Sequence, residues 1–264
     1  MVRFTSDDDL RGLVLDEAAA PGARFWLSDL SGSRFEQSYL SGAVMRGVDL
    51  TDADIDGWIG GLVINGVEVA PIVEAELNLR FPGRELRRSG DPAELLESYD
   101  AAQARWAEAI ELANERPELR DAHVDAEWSI SQTLRHLVLA TDGWLRHSVH
   151  GMAAPFSLIG VPFTEYDSHA ASIGVDITAT PSWEQVLAVR ADRVGQVRDF
   201  LAHAGPADFD AVPQALPPWY DDEPEEERRK MTVGHCLGVI GNEEWEHLRY
   251  ALRDLDTLGA NGAP

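Results

Sequence analysis

Residues 231–250 read MTVGHCLGVIGNEEWEHLRY, and the fold and site that we expect both start from this stretch. Its apolar residues recur at helical spacing, so we predict a helix from Thr232 to about Leu258. Glu243 and His247 are four residues apart, which places their side chains on one face of that helix. This spacing lets two side chains bind one metal ion. Because a carboxylate and an imidazole are costly to bury without partners, a divalent cation is one candidate partner.

Composition and charge narrow the classes of function. The chain has 264 residues, of which 44% are hydrophobic and 26% charged, which is typical of a soluble globular protein. Its formal charge of −24 opposes contact with nucleic-acid phosphates and anionic membranes, so neither partner is expected. The N-terminus lacks the segments of a signal peptide and no apolar run reaches membrane-spanning length, so we expect a cytoplasmic protein. A single cysteine, Cys236, excludes an intramolecular disulfide.

A five-residue rhythm dominates residues 23–55. Large apolar residues occupy every fifth position, namely Phe25, Leu30, Phe35, Leu40, Met45, Leu50 and Ile55. Neither a helix nor a flat strand has this period, so the pattern predicts a chain that turns a corner every five residues and stacks its apolar residues inward. The segment resembles the pentapeptide-repeat family, a right-handed four-sided β-helix. Seven repeats make fewer than two coils, so we expect the segment to pack on something else.

The next residues predict a hairpin and then a linker. Residues 57–69 alternate apolar positions around Asn65-Gly66, which indicates a tight hairpin, and Pro71 begins a helical stretch. Residues 80–90 contain proline, glycine and a cluster of arginines, which we interpret as a linker. The arginines either bind an anion or pair with nearby carboxylates. We therefore predict two domains, a repeat and hairpin module over 1–80 and a helical domain over 81–264.

The helical domain is predicted to be a four-helix bundle, so the fold class is mainly α with a small β-helix-like module at the N-terminus. The predicted helices run from Asp91 to Asn114, from Ser129 or Ser131 to about His150, from Ser182 to Gly205, and from Thr232 to Leu258. Bundles of this kind commonly hold metal or cofactor sites between facing helices. The two long connections, 151–180 and 205–230, are expected to cross the ends of the bundle.

A third metal ligand should come from a helix that faces the last one, and His136 is the best candidate. It lies in the stretch WSISQTLRHL, residues 128–137. A Trp-Ser opening, a helix with one histidine and a distant last helix with paired ligands resemble the DinB/YfiT superfamily of four-helix-bundle metalloproteins. The resemblance implies the ligand set His136, Glu243 and His247. Members of that superfamily carry histidine where this chain has Glu243, and a His₂Glu set still binds metals, with a preference shifted toward harder ions.

The resemblance also implies a cofactor and a chemistry. A divalent metal ion, whether zinc, nickel, iron or manganese, would keep one open position where a water or thiol becomes acidic. Characterised superfamily activities include transferases that use bacillithiol or mycothiol and glutathione-dependent isomerisation, and hydrolysis has also been suspected. We therefore expect a metal-dependent S-transferase that joins a low-molecular-weight thiol to a small-molecule substrate, or a related hydrolase, with no catalytic residue assigned. Bundles of this superfamily are often dimers, so a homodimer is one expected assembly.

A function of another class stays open. In a non-catalytic binding or scaffold protein, the repeat module would mediate assembly and the three polar residues would form a structural hydrogen-bond network. Cys236 lies two turns before Glu243 on the same face, so it is a candidate fourth ligand, a redox group or a small core residue. His169, in the first long connection, is a candidate to support the ligands.

Overall fold

The computed structural model divides the chain into two units. It describes residues 4–5, 8–16, 18–125, 127–220 and 224–261. The compact units are Met1–Asp56 and Gly57–Pro264. The hairpin and the helix that follows it group with the second unit, and the predicted domain boundary after residue 80 stays a prediction.

The first unit is built from turns. Backbone hydrogen bonds that close β-turns recur every ten residues, for example from the Ser33 amide to the Leu30 carbonyl and from Ala43 to Leu40. Bends midway between these turns, as at Gln37, make the chain change direction every five residues, as predicted. The expected inward stacking is not seen, because the apolar residues at every fifth position keep between 41% and 59% of their surface exposed. A stack this short has almost no interior coil, so few side chains have a neighbouring coil on both sides.

The predicted hairpin is confirmed. Strands β1 (Val63–Ile64) and β2 (Val67–Glu68) pair antiparallel, and they are the only strands among the residues that the structure describes. Asn65 and Gly66 both have positive φ, at 50° and 83°, which a two-residue hairpin turn of the mirror-image type requires. Helix α1 (Ala70–Arg80) follows directly, with a proline in its first turn.

The prediction of a linker over residues 80–90 is wrong, because this segment packs into the second unit. Arg84 opens a 3₁₀ turn and is only 2% exposed. Its guanidinium bonds Glu74 of α1 at 2.8 Å and Glu246 at 2.7 Å, and Arg87 also bonds Glu74. The hydrogen bond from Arg84 lowers the pKa of Glu74 to about 2. Of the two alternatives for the arginines, pairing with carboxylates is therefore the one that the structure shows for Arg84 and Arg87.

Four long helices form the bundle, as predicted. They are α2 (Pro92–Glu115), α3 (Ile130–Thr141), α4 (Trp183–His203) and α7 (Val233–Asn261). Two short helices, α5 (Pro206–Phe209) and α6 (Glu225–Arg228), lie in the connection before α7. Helices α2 and α3 each contact both α4 and α7, so the four helices close into a ring around the core. No helix in the described part of the chain is both long and apolar enough to cross a lipid bilayer.

Side-chain caps fix where the helices begin. Asp91 accepts hydrogen bonds from two backbone amides at the start of α2. Ser129 and Gln132 form a reciprocal capping box at the start of α3, which decides between the two serines considered from the sequence. Ser182 and Gln185 do the same for α4. After Thr141 the second helix continues as a π-helix, Asp142–Val149, close to its predicted end.

The π-helix holds the second crossover connection against the bundle. At Gly143 a methyl group would overlap the indole ring of Trp219, so only glycine allows this close approach. Trp219 also contacts Phe156 and Phe163 of the first crossover, at ring-centroid distances of 6.1 and 6.0 Å. The two long connections therefore meet over this part of α3 and its continuation.

We predict that Gly143→Ala lowers the free energy of unfolding by about 1–3 kcal/mol, because overlap with Trp219 outweighs the better helix propensity of alanine. Urea unfolding of the purified chain measures this change. Gly195→Ala in α4 is the matched control: a Cβ there meets no atom within 4 Å, so it should stabilise by about 0.5–1 kcal/mol. A Gly143→Ala protein as stable as the wild type would contradict the packing described.

Candidate metal centre

The structure brings the three residues of the predicted ligand set together. His136 lies on α3, Glu243 and His247 lie one turn apart on α7, and one ligand atom from each lies within 4.8 Å of the others. Nε2 of His247 is 3.0 Å from Oε2 of Glu243, and Nε2 of His136 is 3.4 Å from the same oxygen. His136 is 7% exposed and its two partners are half-buried, so the group lies at the α3–α7 interface with one side near solvent.

The backbone of the first crossover fixes the tautomer of His136. Nδ1 of His136 is 2.9 Å from the carbonyl oxygen of Val161. A carbonyl can only accept, so we assign a proton to Nδ1 from this contact. Nε2 of the neutral ring is then an acceptor, and it faces the Glu243 oxygen, which is also an acceptor. Two facing acceptors need a cation between them, either a proton or a metal ion.

This geometry fits a divalent metal. Donation of the second ring nitrogen to a backbone carbonyl is the usual way in which proteins orient a metal-binding histidine. Two ligand atoms that each lie about 2.0–2.1 Å from a tetrahedral ion are roughly 3.3 Å from each other. The distances from Oε2 of Glu243 to Nε2 of His136 and to Nε2 of His247 are close to this value. Two imidazoles and one carboxylate leave a fourth position open, which is the ligand arrangement of a catalytic site rather than a closed structural one.

Glu243 remains ionised in this environment. Burial works to raise the pKa of its carboxyl group, but the interactions with His136 and His247 outweigh burial and hold the pKa well below its usual range. The carboxylate therefore keeps the negative charge that a metal ligand needs.

An aromatic side chain covers both imidazoles. The Trp128 ring centroid is 4.6 Å from that of His136 and 5.8 Å from that of His247, and the two histidine rings are 4.8 Å apart. Trp128 directly precedes Ser129, the N-cap of α3, so the cap that starts the helix also positions this ring. In the sequence, Trp128 stands out only as part of a motif. Its place just before a capping box, about two turns before His136, is the signal for this contact.

Two other candidates lie away from the group. Cys236 is fully buried in the apolar core with Trp144 and Ile240, and burial raises the pKa of its thiol to about 12. It is therefore a core residue and not part of the ligand group, which corrects the idea of a fourth ligand. His169 lies on the 3₁₀ helix Thr164–Ile173, where its Nδ1 is 3.0 Å from the Ser168 hydroxyl, and it also is not part of the group.

Comparison with known families agrees with the architecture. The family model of the DinB superfamily matches residues 112–251, which is more than half of the chain and includes all three residues of the group. The chain belongs to the DinB superfamily. Pentapeptide repeats match in eight copies, over residues 9–45 and 28–57. No curated protein and no solved structure matches the chain. A DinB protein with this N-terminal extension thus combines a superfamily bundle with a short repeat segment.

We predict that Trp128→Ala weakens metal binding about tenfold, because the imidazoles lose the ring that restricts their orientation. Calorimetric titration of the full chain with Zn²⁺ or Ni²⁺ measures the dissociation constant. Trp128→Phe is the control, since it keeps an aromatic face and should bind nearly as the wild type does.

The same two variants supply a spectroscopic check. Quenching of tryptophan fluorescence by Co²⁺ should be smaller in Trp128→Phe than in the wild type, because Trp128 is the indole in contact with both imidazoles. Equal affinity in all three proteins, together with equal quenching, would contradict the positioning role.

Proposed function

We propose that the protein is a metal-dependent enzyme that transfers a low-molecular-weight thiol, of the mycothiol or bacillithiol type, to an electrophilic small molecule. The observation that carries the proposal is the acceptor nitrogen of His136, held by Val161 and facing the Glu243 carboxylate beside His247. Thiol-dependent members of the superfamily support transfer. A related hydrolase, which would use water at the open position, is the second form of the same proposal.

Each residue of the centre has a separate task. His136 and His247 would hold a divalent zinc, nickel, iron or manganese ion through Nε2, and Glu243 would hold it through a carboxylate oxygen. The Val161 carbonyl keeps the Nδ1 proton of His136 in place, and Trp128 shields the ring faces. When bound, such an ion acts as a Lewis acid that lowers the pKa of a thiol or water beside it.

The proposed reaction balances without a further reagent. The thiol releases its proton to solvent, its sulfur forms a bond to the electrophilic carbon, and the bond from that carbon to the leaving group breaks. The partners are therefore two small molecules, and the proposal needs neither nucleic acid nor membrane. A cytoplasmic location and a homodimer are proposed with it.

A non-catalytic scaffold is the second candidate function, and one contact favours it. Nε2 of His247 lies 3.0 Å from Glu243, so a hydrogen bond between them satisfies both side chains without an ion. In that case a protonated His136 would balance the carboxylate, and the three residues would only stabilise the α3–α7 interface.

Metal content separates the two candidates. We predict about one divalent ion per wild-type chain after reconstitution and dialysis, and loss of that ion in His136→Ala, because one of three ligands is removed. Elemental analysis by mass spectrometry measures the ratio. His203→Ala is the control: His203 is exposed, its Nδ1 lies 2.7 Å from the Asp199 carbonyl of its own helix, and it is not one of the three candidate ligands, so the variant should keep its metal. A wild-type chain that retains no ion would contradict the enzyme and favour the scaffold.

Activity tests the chemistry itself. We predict thiol-dependent turnover of a model electrophile such as chlorodinitrobenzene, followed by absorbance with mycothiol, bacillithiol or glutathione as the co-substrate. Glu243→Ala should lower kcat/KM by at least about 100-fold, because the ion is lost with its anionic ligand. His203→Ala should leave the rate unchanged. Turnover that survives the loss of metal would contradict the mechanism.

A further inference from the structure

A groove lies between α2 and α4. It lies across the bundle from the metal centre, because α3 and α7 hold the ligands while α2 and α4 form the opposite edge of the helix ring. Its volume is about 580 Å³, within the range of ordinary small-molecule clefts. The walls are largely apolar and include Ile110, Leu187 and Val194.

The groove residues carry hydrogen-bond donors that lack partners. Arg190 is 3% exposed and Trp106 is 1% exposed, and both line the groove with the half-buried Gln103. Nη1 of Arg190, Nε1 of Trp106 and Nε2 of Gln103 are buried and have no hydrogen-bond partner within the described part of the chain. Each buried donor left unsatisfied costs about 1–3 kcal/mol, so an acceptor group that reaches one or more of them would be favoured there.

The rest of the Arg190 guanidinium is already engaged. Nη2 donates to Glu244 of α7 at 2.6 Å, and to Oε1 of Gln103 at 3.3 Å. The ion pair with Glu244 lies in the core and fixes the guanidinium plane, so Nη1 is held in position without being used. The Gln103 contact is long for a hydrogen bond to a charged donor, and this half-buried side chain is the one that can exchange its place for a ligand.

We propose that this groove binds a small aliphatic monocarboxylate. All three unpartnered groups are donors, so the ligand must supply acceptors. A neutral carbonyl offers two lone pairs, whereas a carboxylate offers about four and carries the negative charge that suits a guanidinium. The guanidinium makes these bonds charge-assisted, and rotation of Gln103 opens the approach to Nη1. The aliphatic walls receive a short hydrocarbon chain, which gains free energy from its burial.

The charged residues at the groove edge pair with each other. Arg198 and Asp100 line the groove and pair with each other at 2.5 Å. Arg190 is shared between Glu244 on one side and the incoming carboxylate on the other, so its single positive charge contacts both anions. The proposal uses none of the metal ligands, so it does not depend on the proposed function.

Titration of the full chain with sodium butyrate tests the groove, by calorimetry and by saturation-transfer NMR. Gly195→Leu is the informative variant: Gly195 lines the groove and a Cβ there meets no atom within 4 Å, so the leucine fills the groove without strain. It should weaken butyrate binding at least about tenfold. Gly259→Leu, the same exchange in α7 away from the groove, should bind butyrate as the wild type does.

Two more measurements fix the ligand class and the site. Butyramide, which replaces one acceptor by a donor, should bind at least about tenfold more weakly than butyrate. His136→Ala should keep butyrate binding, which excludes the metal centre as the site. No saturable binding of butyrate by the wild-type chain would overturn the proposal, as would equal binding of butyramide or binding that Gly195→Leu leaves unchanged.

Discussion

Three glutamates of α7 each meet a positively charged or protonatable group from a different neighbour. Glu243 faces His136 of α3, Glu244 bonds Arg190 of α4, and Glu246 bonds Arg84 in the turn before α2. Successive residues of a helix point about 100° apart, so side chains from one short stretch can contact three different neighbours in the bundle. A buried charge without its partner costs several kcal/mol. The fully buried pair of Glu244 with Arg190 therefore favours one rotation of α7, and the half-buried pairs of Glu243 and Glu246 agree with it.

The candidate metal centre depends on the rotation and register of α7. Glu243 faces His136 from the same helix on which Glu244 and Glu246 pair with Arg190 and Arg84. His136, on α3, is positioned independently of the ion pairs of α7. The capping box at Ser129 begins its helix, and its side chain contacts the Val161 carbonyl. The crossover that supplies Val161 thus takes part in the site through its backbone, whereas its histidine, His169, lies elsewhere.

Patterns within one helix could be predicted from the residues alone, whereas a pairing between distant segments either needed the family resemblance, as for His136 with Glu243, or was missed. The starts of α2 and α4 follow from Asp91 and Ser182, and the hairpin follows from Asn65-Gly66, because a cap or a tight turn is decided by a few adjacent residues. The role of Arg84 was missed because its partner Glu246 is 162 positions away along the chain. A segment with a proline, a glycine and several arginines is typical of a linker. Only the structure shows that the carboxylates of Glu74 and Glu246 lie beside these arginines.

The exposed repeats show a related difference. The five-residue period correctly predicted that the chain turns every five residues. Phe25 and Leu30 remain exposed because their burial requires more stacked coils than this segment has. At the site, the resemblance to the superfamily selected His136 from eight histidines, and the i,i+4 spacing selected Glu243 and His247. Neither the facing acceptors nor the Trp128 ring over both imidazoles follows from spacing, because each depends on how α3 meets α7.

We propose that Glu243 and the two histidines bind one metal ion, although the superfamily usually has histidine where this chain has Glu243. Anomalous diffraction from crystals of the metal-reconstituted chain tests this binding. One anomalous peak is expected about 2.0–2.2 Å from Nε2 of His136, Nε2 of His247 and a carboxylate oxygen of Glu243. A difference map with no peak between α3 and α7, and with Glu243 hydrogen-bonded to both imidazoles, would contradict it.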